Sequence, residues 1–241
     1  MVHTLPDYTT KYKMTKIFGN IDTGELAARL GSIDTFDRRG NVLWLDDFNS
    51  PTLKWLDQSN FAGAVTLSIR YPYMGAQSAY FQTDDTAWNY SEIKRYFAYP
   101  LNDRLGFEFW FALLEDTTYV EIQLGIDDGI KQRLWKHKID VANNTLEVYH
   151  NGVFVVYETL PNDILASRWC YNSFKLVVDM QTLHYVRSLF NNVEYDLSGY
   201  IPLSGLTLGN YFVDCRITVR TTTAAAANMY LDNFIYTFNE P

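Results

Sequence analysis

The sequence predicts an all-β protein, built as an antiparallel sandwich from about residue 41 to its end. Apolar and polar residues alternate over 119–126, where Val120, Ile122 and Leu124 face one way and Glu121 and Gln123 face the other. Signals for tight turns recur every 8–12 residues or so, the spacing expected of a sandwich or barrel. Aromatic residues, which favour strands, make up 16% of the 241 residues.

Strand-like runs follow one another along the chain and are separated by turns. Asp127-Asp128-Gly129, Asn143-Asn144 and Asn151-Gly152 predict hairpin turns, the last of the preferred Asn-Gly type. The predicted strands cover 42–45, 64–71, 105–114, 119–126, 131–141, 145–149, 153–157, 173–179, 184–190, 193–197, 211–220 and 229–238. Thr221 and the residues up to Ala227 read as a loop before the last strand.

Residues 1–40 differ from the rest of the chain, because they are polar and only sparsely apolar. A short helix is expected there, capped by Asp22 or Thr23 and ended by Gly31. The segment is too short and too polar to close a core of its own. We therefore expect an N-terminal arm over 1–40 and one sandwich domain over 41–241. The apolar residues with which such an arm would pack on a neighbouring copy are Tyr8, Tyr12, Ile17 and Phe18.

Charge and composition bound the classes of partner. The formal net charge of −8 argues against a nucleic-acid backbone as the main partner. The N-terminus has no apolar core of a signal peptide, and no run of about 18 apolar residues could span a membrane. We expect a soluble protein without a signal peptide. Cys170 and Cys215 are expected to be free buried thiols rather than a disulfide.

Two short motifs carry a resemblance to a known superfamily. The first strand runs into Asp46-Asp47-Phe48, followed by a turn and Trp55, and the last strand contains Asp232-Asn233-Phe234. Over 41–238 this pattern resembles the concanavalin A-like, or laminin G-like, jelly roll, which is shared by lectins, carbohydrate-binding modules, glycanases and virion proteins. Residues 24–48 also resemble the leader of uncharacterised phage and prophage proteins that carry this sandwich.

The resemblance implies that the first and last strands lie side by side, which would bring Asp46 or Asp47 towards Asp232. Like charges that meet need a cation or a proton, and many jelly rolls hold a structural Ca²⁺ at this place. The alternative is that each aspartate caps a turn or accepts backbone N–H groups at a strand end. We favour capping. No other cofactor is expected.

A catalytic pair of carboxylates is not apparent. Retaining glycanases of this superfamily carry Glu-x-Asp-x-x-Glu on one strand, which places the acids on one face. The nearest approach is Glu121-x-Gln123, where the second position is an amide. Glu108 has no second acid near it on its face. A non-enzymatic protein is therefore expected, and an enzyme assembled from distant residues remains an alternative.

Aromatic residues could form platforms for sugar rings. Trp88 and Tyr90 lie in a loop-like stretch, Trp110 lies in a long strand, and Trp135 is expected opposite Glu121 and Gln123. Core packing is the alternative for each tryptophan inside a strand. The residues predicted to contact carbohydrate or a partner are Trp88, Tyr90 and Trp135.

Three functions remain open. The favoured one is a structural or interaction protein of a phage particle, which acts as a capsid decoration, tail or fibre component. Such a protein would assemble through its arm, either as a homo-oligomer or with other virion proteins. The second is a carbohydrate-binding module or lectin that binds glycans. The third is a glycoside hydrolase.

Overall fold

The protein is an all-β sandwich of two antiparallel sheets. The computed structural model describes residues 39–73, 75–97, 104–114, 117–160, 164, 170–191, 193–206, 209, 211–222 and 225–241. The predicted arm, with its short helix and its residues Tyr8, Tyr12, Ile17 and Phe18, lies outside the described residues. The described part of the chain has no helix that could cross a membrane.

Within the described residues, sixteen strands make up the two sheets. The strands of the first half are β1 (Asn41–Asp46), β2 (Leu56–Asp57), β3 (Ala64–Ser68), β4 (Ser78–Gln82), β5 (Tyr90–Phe97), β6 (Arg104–Leu113), β7 (Tyr119–Asp128) and β8 (Lys131–Asp140). Those of the second half are β9 (Thr145–His150), β10 (Val153–Thr159), β11 (Asn172–Asp179), β12 (His184–Phe190), β13 (Val193–Asp196), β14 (Leu203–Leu206), β15 (Tyr211–Arg220) and β16 (Asn228–Phe238).

Each sheet has eight strands. The first sheet has the order β13-β12-β11-β6-β16-β4-β3, and β1 also pairs with β16. The second sheet has the order β10-β9-β8-β7-β15-β5-β2, and β14 pairs with β8. The first and last strands therefore lie side by side as the resemblance implied, with Asp46 opposite Phe234.

The predicted hairpin turns are present. Gly129 has a φ of 77° between β7 and β8, and the Asp127 carboxylate accepts its N–H at 2.9 Å. Asn151 and Gly152 both have positive φ, 51° and 90°, between β9 and β10. Two consecutive positive φ values are the geometry that the Asn-Gly pair favours in a two-residue hairpin.

The inner faces of the two sheets pack against each other. The core includes Phe109 of β6, Phe174 of β11, Ile122 of β7 and Ile217 of β15, each at most 1% exposed. Cys215 is also in this core, Cys170 is half-buried, and both thiols are free as expected. Because successive side chains of a strand point to opposite faces, the polar residues between these positions lie on the outer faces.

The core also contains Trp135, which corrects one of our predictions. Its indole has no exposed surface, and it pairs with Leu124, not with Glu121 or Gln123. A shift of one position in register exchanges the two faces of a strand. Trp135 therefore packs between the sheets and cannot offer a platform to a sugar.

Candidate functional site: a polar cavity on the second sheet

A polar cavity lies on the outer face of the second sheet. Its volume is about 510 Å³. It is lined by Asp57, Gln58, Tyr90, Glu92, Glu121, Gln123, Lys136, Arg216, Thr218 and Arg220. Every one of these side chains can donate or accept a hydrogen bond.

The register of four strands explains why these side chains meet. Residues opposite one another on antiparallel strands share a face, and β5, β15, β7 and β8 are adjacent. Three rows of side chains therefore cross the face. They are Tyr90, Arg220 and Tyr119; then Glu92, Thr218, Glu121 and Lys138; then Lys94, Arg216, Gln123 and Lys136.

The floor of the cavity is well shielded from solvent although it is polar. Thr218 is 4% exposed and Gln123 is 8% exposed. Desolvating polar and charged groups is unfavourable unless they are paired. Polar groups kept at such a floor are therefore candidates for a function as well as for structure.

Most charges of the face are paired. The Lys136 ammonium lies 3.1 Å from a Glu121 carboxylate oxygen, and the Lys138 ammonium lies 2.7 Å from Glu147. The Thr218 hydroxyl donates to Glu92 at 2.8 Å. These contacts hold the carboxylates of Glu92 and Glu121 in fixed positions.

The buried aspartate Asp214 holds the Arg216 side chain in place. Its Nε donates to Asp214 at 2.7 Å, and the Lys94 ammonium lies 3.5 Å from the same carboxylate oxygen. Burial lowers the pKa of Arg216, but the Asp214 carboxylate raises it more, so that its pKa lies above the ordinary value. Gly125 makes room for this arrangement, because a Cβ there would lie 2.2 Å from an Asp214 oxygen.

Gln123 is the neutral member of the floor. Its side-chain amide makes no hydrogen bond to any residue that the structure describes, whereas Glu121 on the same strand is held by Lys136. An amide offers two donors and an acceptor. Gln123 can therefore hydrogen-bond a hydroxyl-rich ligand without disrupting an ion pair of the protein.

Tyrosines surround Arg220 at one end of the cavity. The guanidinium lies 4.9 Å from the centre of the Tyr90 ring, and its charge also acts on Tyr119. Burial raises the pKa of Tyr119, and the positive charge of Arg220 opposes this shift. The Tyr119 phenol is therefore expected to be a neutral hydrogen-bonding group near neutral pH.

The backbone of Trp88 lies beside the same end of β15. Trp88 comes two residues before Tyr90 and is 66% exposed. Its backbone N–H donates to the carbonyl of Thr221, the residue after Arg220. Its φ of 72° is unusual for a bulky residue. Asp84 accepts hydrogen bonds from the backbone of Thr86 and the side chain of Asn89, which fixes this loop.

Trp110 belongs to the first sheet, whereas the cavity lies on the second sheet. It lies on the outer face of the first sheet, is 3% exposed and stacks on Tyr73 at 5.9 Å between ring centres. Tyr171 lies 4.8 Å from the Tyr73 ring in the same cluster. Of the aromatic residues predicted to form platforms, Tyr90 lines the polar cavity, and the backbone of Trp88 lies next to the strand end that carries Arg220.

The three aspartates of the terminal strands make capping contacts. Asp46 accepts the Phe48 N–H at 3.1 Å and the indole N–H of Trp55 at 3.1 Å. Asp47 accepts the Asn49 N–H at 3.1 Å. The Asp232 carboxylate accepts the backbone N–H groups of Tyr73 and Asn233, both at 2.8 Å.

These contacts fit the capping alternative. Within the described ranges, no three or more His, Cys, Asp or Glu side chains are grouped so that they could hold a metal ion. Capping by Asp46, Asp47 and Asp232 stays our favoured prediction over a calcium site, and chelation tests the two against each other.

Sequence reasoning missed most of the cavity. Among its residues, only Tyr90 was predicted as a contact, and Glu121 and Gln123 were considered for catalysis alone. The signal lay in the alternation of Arg216, Thr218 and Arg220 in the predicted last-but-one strand. The structure adds that this strand, β15, lies between β5 and β7, which are both far from it in sequence.

Comparisons with known proteins identify the fold. No protein-family model and no curated protein sequence matches the chain. Among solved structures, an endo-β-1,4-glucuronan lyase from the fungus Trichoderma reesei matches with a TM-score of 0.60 and 13% identity, over 82% of this chain and 95% of the lyase. The cellulose-induced protein Cip1 matches with a TM-score of 0.53 and 13% identity, over 80% of this chain and 96% of Cip1.

A lectin has the same architecture. The lectin UEA-II complexed with galactose matches with a TM-score of 0.50 and 9% identity, over 81% of this chain and 98% of the lectin. At such identities the similarity is one of fold, since one fold supports many functions. The protein thus has the concanavalin A-like jelly-roll sandwich that the motifs of its first and last strands predicted.

Proposed function

We propose that this protein binds carbohydrate in the polar cavity of the second sheet. The observation that carries the proposal is the cavity's floor, where hydrogen-bonding side chains from several strands are held in place by ion pairs. A sugar presents many hydroxyl groups, each a donor and an acceptor. A rigid surface of carboxylates, amides and cations can bind such groups without rearranging, which lowers the entropic cost of binding.

The aromatic residues at one end add a second kind of contact. Tyr90 lines the cavity, and the exposed Trp88 lies two residues before it in the chain. Aromatic faces pack against the apolar C–H surface of sugar rings, and the hydroxyl groups then reach the polar floor. An exposed tryptophan in a fixed loop is the arrangement expected of an interaction site.

The comparisons support the proposal at the level of the fold. One match is a lectin in complex with galactose, and another is a glucuronan lyase. They favour the carbohydrate-binding alternative over the virion role, for which neither the cavity nor the matches offer support. Assembly through residues 1–40 stays a prediction of its own.

The test compares two substitutions of the same type. Gln123→Leu removes the amide from the cavity floor at nearly constant volume and leaves the ion pairs intact. Gln181→Leu is the matched control, since Gln181 is exposed in the turn after β11 of the other sheet. A glycan array, followed by calorimetry on the strongest ligands, measures binding.

We expect wild type and Gln181→Leu to bind the same glycans, and Gln123→Leu to bind them about tenfold more weakly, the loss expected when a buried hydrogen bond to a ligand is removed. Equal binding by all three proteins would place the ligand elsewhere. An array without any signal would contradict the proposal itself.

A glycoside hydrolase is the second candidate. Glu92 and Glu121 lie in one row of the cavity with Thr218 between them. Two strand spacings separate their Cα atoms by about 9.5 Å. Inverting hydrolases hold their two carboxyl groups roughly 6.5–9.5 Å apart, a separation that two glutamate side chains on Cα atoms so placed can adopt.

Incubation of the protein with the glycans that it binds separates these two functions. We expect no release of shorter sugars. Products that form with wild type and disappear with Glu121→Gln would instead identify the cavity as a hydrolase site.

A further inference from the structure

Arg220 differs from the other cations that line the polar cavity. Lys136 is paired with Glu121, and Arg216 is paired with Asp214. Arg220 forms no ion pair with a carboxylate of the described residues, and its Nε is buried without a hydrogen-bond partner there. The cavity thus contains a guanidinium whose charge is not neutralised by the protein around it.

Its surroundings hold this guanidinium in one position. The Tyr90 ring covers it at 4.9 Å, and Tyr119 lies opposite it on the neighbouring strand β7. Arg220 also lies at the end of β15, next to Thr221, whose carbonyl accepts the Trp88 N–H at 2.9 Å. A fixed guanidinium loses little freedom when it binds an anion, because its planar fork is already oriented.

We propose that this end of the cavity selects a sugar residue that carries a carboxylate, with the carboxylate bound by Arg220. The inference rests on the proposed carbohydrate binding and names the class of sugar. A carboxylate suits the site because its two oxygens match the fork of a guanidinium in a paired, charge-assisted contact. It would also give the buried Nε–H an acceptor, which removes an unfavourable unpaired group.

The remainder of the cavity argues for one acidic residue rather than a uniformly anionic chain. Glu92, Glu121 and Asp57 also line it, and they would repel further carboxylates. The positive subsite is therefore local, at Tyr90, Tyr119 and Arg220. The hydroxyl groups of neighbouring sugar units would meet the floor around Gln123.

The experiment uses pairs of oligosaccharides that differ only in charge. Oligoglucuronate, oligogalacturonate and oligomannuronate are each compared with the same oligomer after its carboxylates have been chemically reduced to primary alcohols. Binding of the full-length chain is measured by calorimetry for wild type, Arg220→Gln, Arg220→Lys and Gln123→Leu. Thermal unfolding and circular dichroism confirm that each variant is folded.

For wild type we expect at least one acidic oligomer to bind about tenfold or more tightly than its reduced form, the gain expected of a charge-assisted hydrogen bond. Arg220→Gln should reduce this preference to within about twofold while binding to the reduced form persists. Arg220→Lys should keep part of the preference, since it retains the charge but not the fork. Gln123→Leu should weaken both forms and leave their ratio unchanged.

Two results would overturn the inference. One is binding of reduced and acidic forms with equal affinity by wild type. The other is a preference for the acidic form that persists in Arg220→Gln. In either case the proposed carbohydrate binding stands, whereas it fails if no oligomer or array glycan binds at all.

Discussion

The buried histidine behind the polar cavity makes the stability of this fold depend on pH. His137 lies on the core side of β8, between Lys136 and Lys138 of the outer face, and has no exposed surface. Its Nε2 lies 2.6 Å from the Tyr157 hydroxyl, and its ring centre lies 4.6 Å from that of Phe174. Burial lowers the pKa of His137 from 6.5 to about 3, because a charged imidazolium is not solvated there.

The direction of the pH dependence follows from this shift. Below pH 6.5 the unfolded chain takes up a proton on His137, whereas the folded chain does so only near pH 3. The free energy of unfolding therefore falls as the pH drops from 6.5 towards 3. At about 1.4 kcal/mol per pH unit, His137 alone costs about 2 kcal/mol between pH 7.5 and pH 5.

Urea unfolding at a series of pH values from 7.5 to 5 measures this loss. His137→Gln keeps a hydrogen-bonding group for Tyr157 but does not titrate, so its stability should change by less than about 0.5 kcal/mol over this interval. The same slope in wild type and His137→Gln would refute the reasoning.

Three further predictions concern other parts of the molecule. Glu240→Gln should destabilise the fold by about 3 kcal/mol in urea unfolding, because Lys175 and Arg187 each lie 2.7 Å from this buried carboxylate. The control Glu194→Gln removes one partner of the exposed ion pair with Arg39 and should cost less than about 1 kcal/mol. A chelator should leave Tm unchanged, since Asp46, Asp47 and Asp232 accept backbone or indole N–H groups, and a drop of several degrees would instead reveal a structural metal. Trp88→Ala should weaken glycan binding without lowering stability, because the side chain is 66% exposed, and unaltered affinity would exclude this residue from the binding site.

The sequence predicted the fold well because its signals are local. Alternation over 119–126 and the glycine at position 129 define β7 and the turn after it, whatever the rest of the chain does. The acidic motifs at Asp46 and Asp232 marked strands that do lie beside each other.

The register and the order of the strands depend on residues that are far apart in sequence. The predictions that needed them were wrong or incomplete. Trp135 was expected opposite Glu121 and Gln123, but it pairs with Leu124 and is buried between the sheets. The alternation of β8 is visible in the sequence. Which of its two faces points to the core depends on the register in which β7 and β14 pair with it. Likewise, Arg220 and Tyr90 meet only because β15 pairs with β5, more than 100 residues away.

The central claim is that a carbohydrate lies on the floor of the polar cavity. NMR titration of the isotope-labelled protein, with a glycan that it binds, tests this most directly. We predict that the side-chain amide of Gln123 and the Nε–H of Arg220 shift first and most. Shifts confined to the outer face of the first sheet, around Tyr73, Trp110 and Tyr171, would contradict the account.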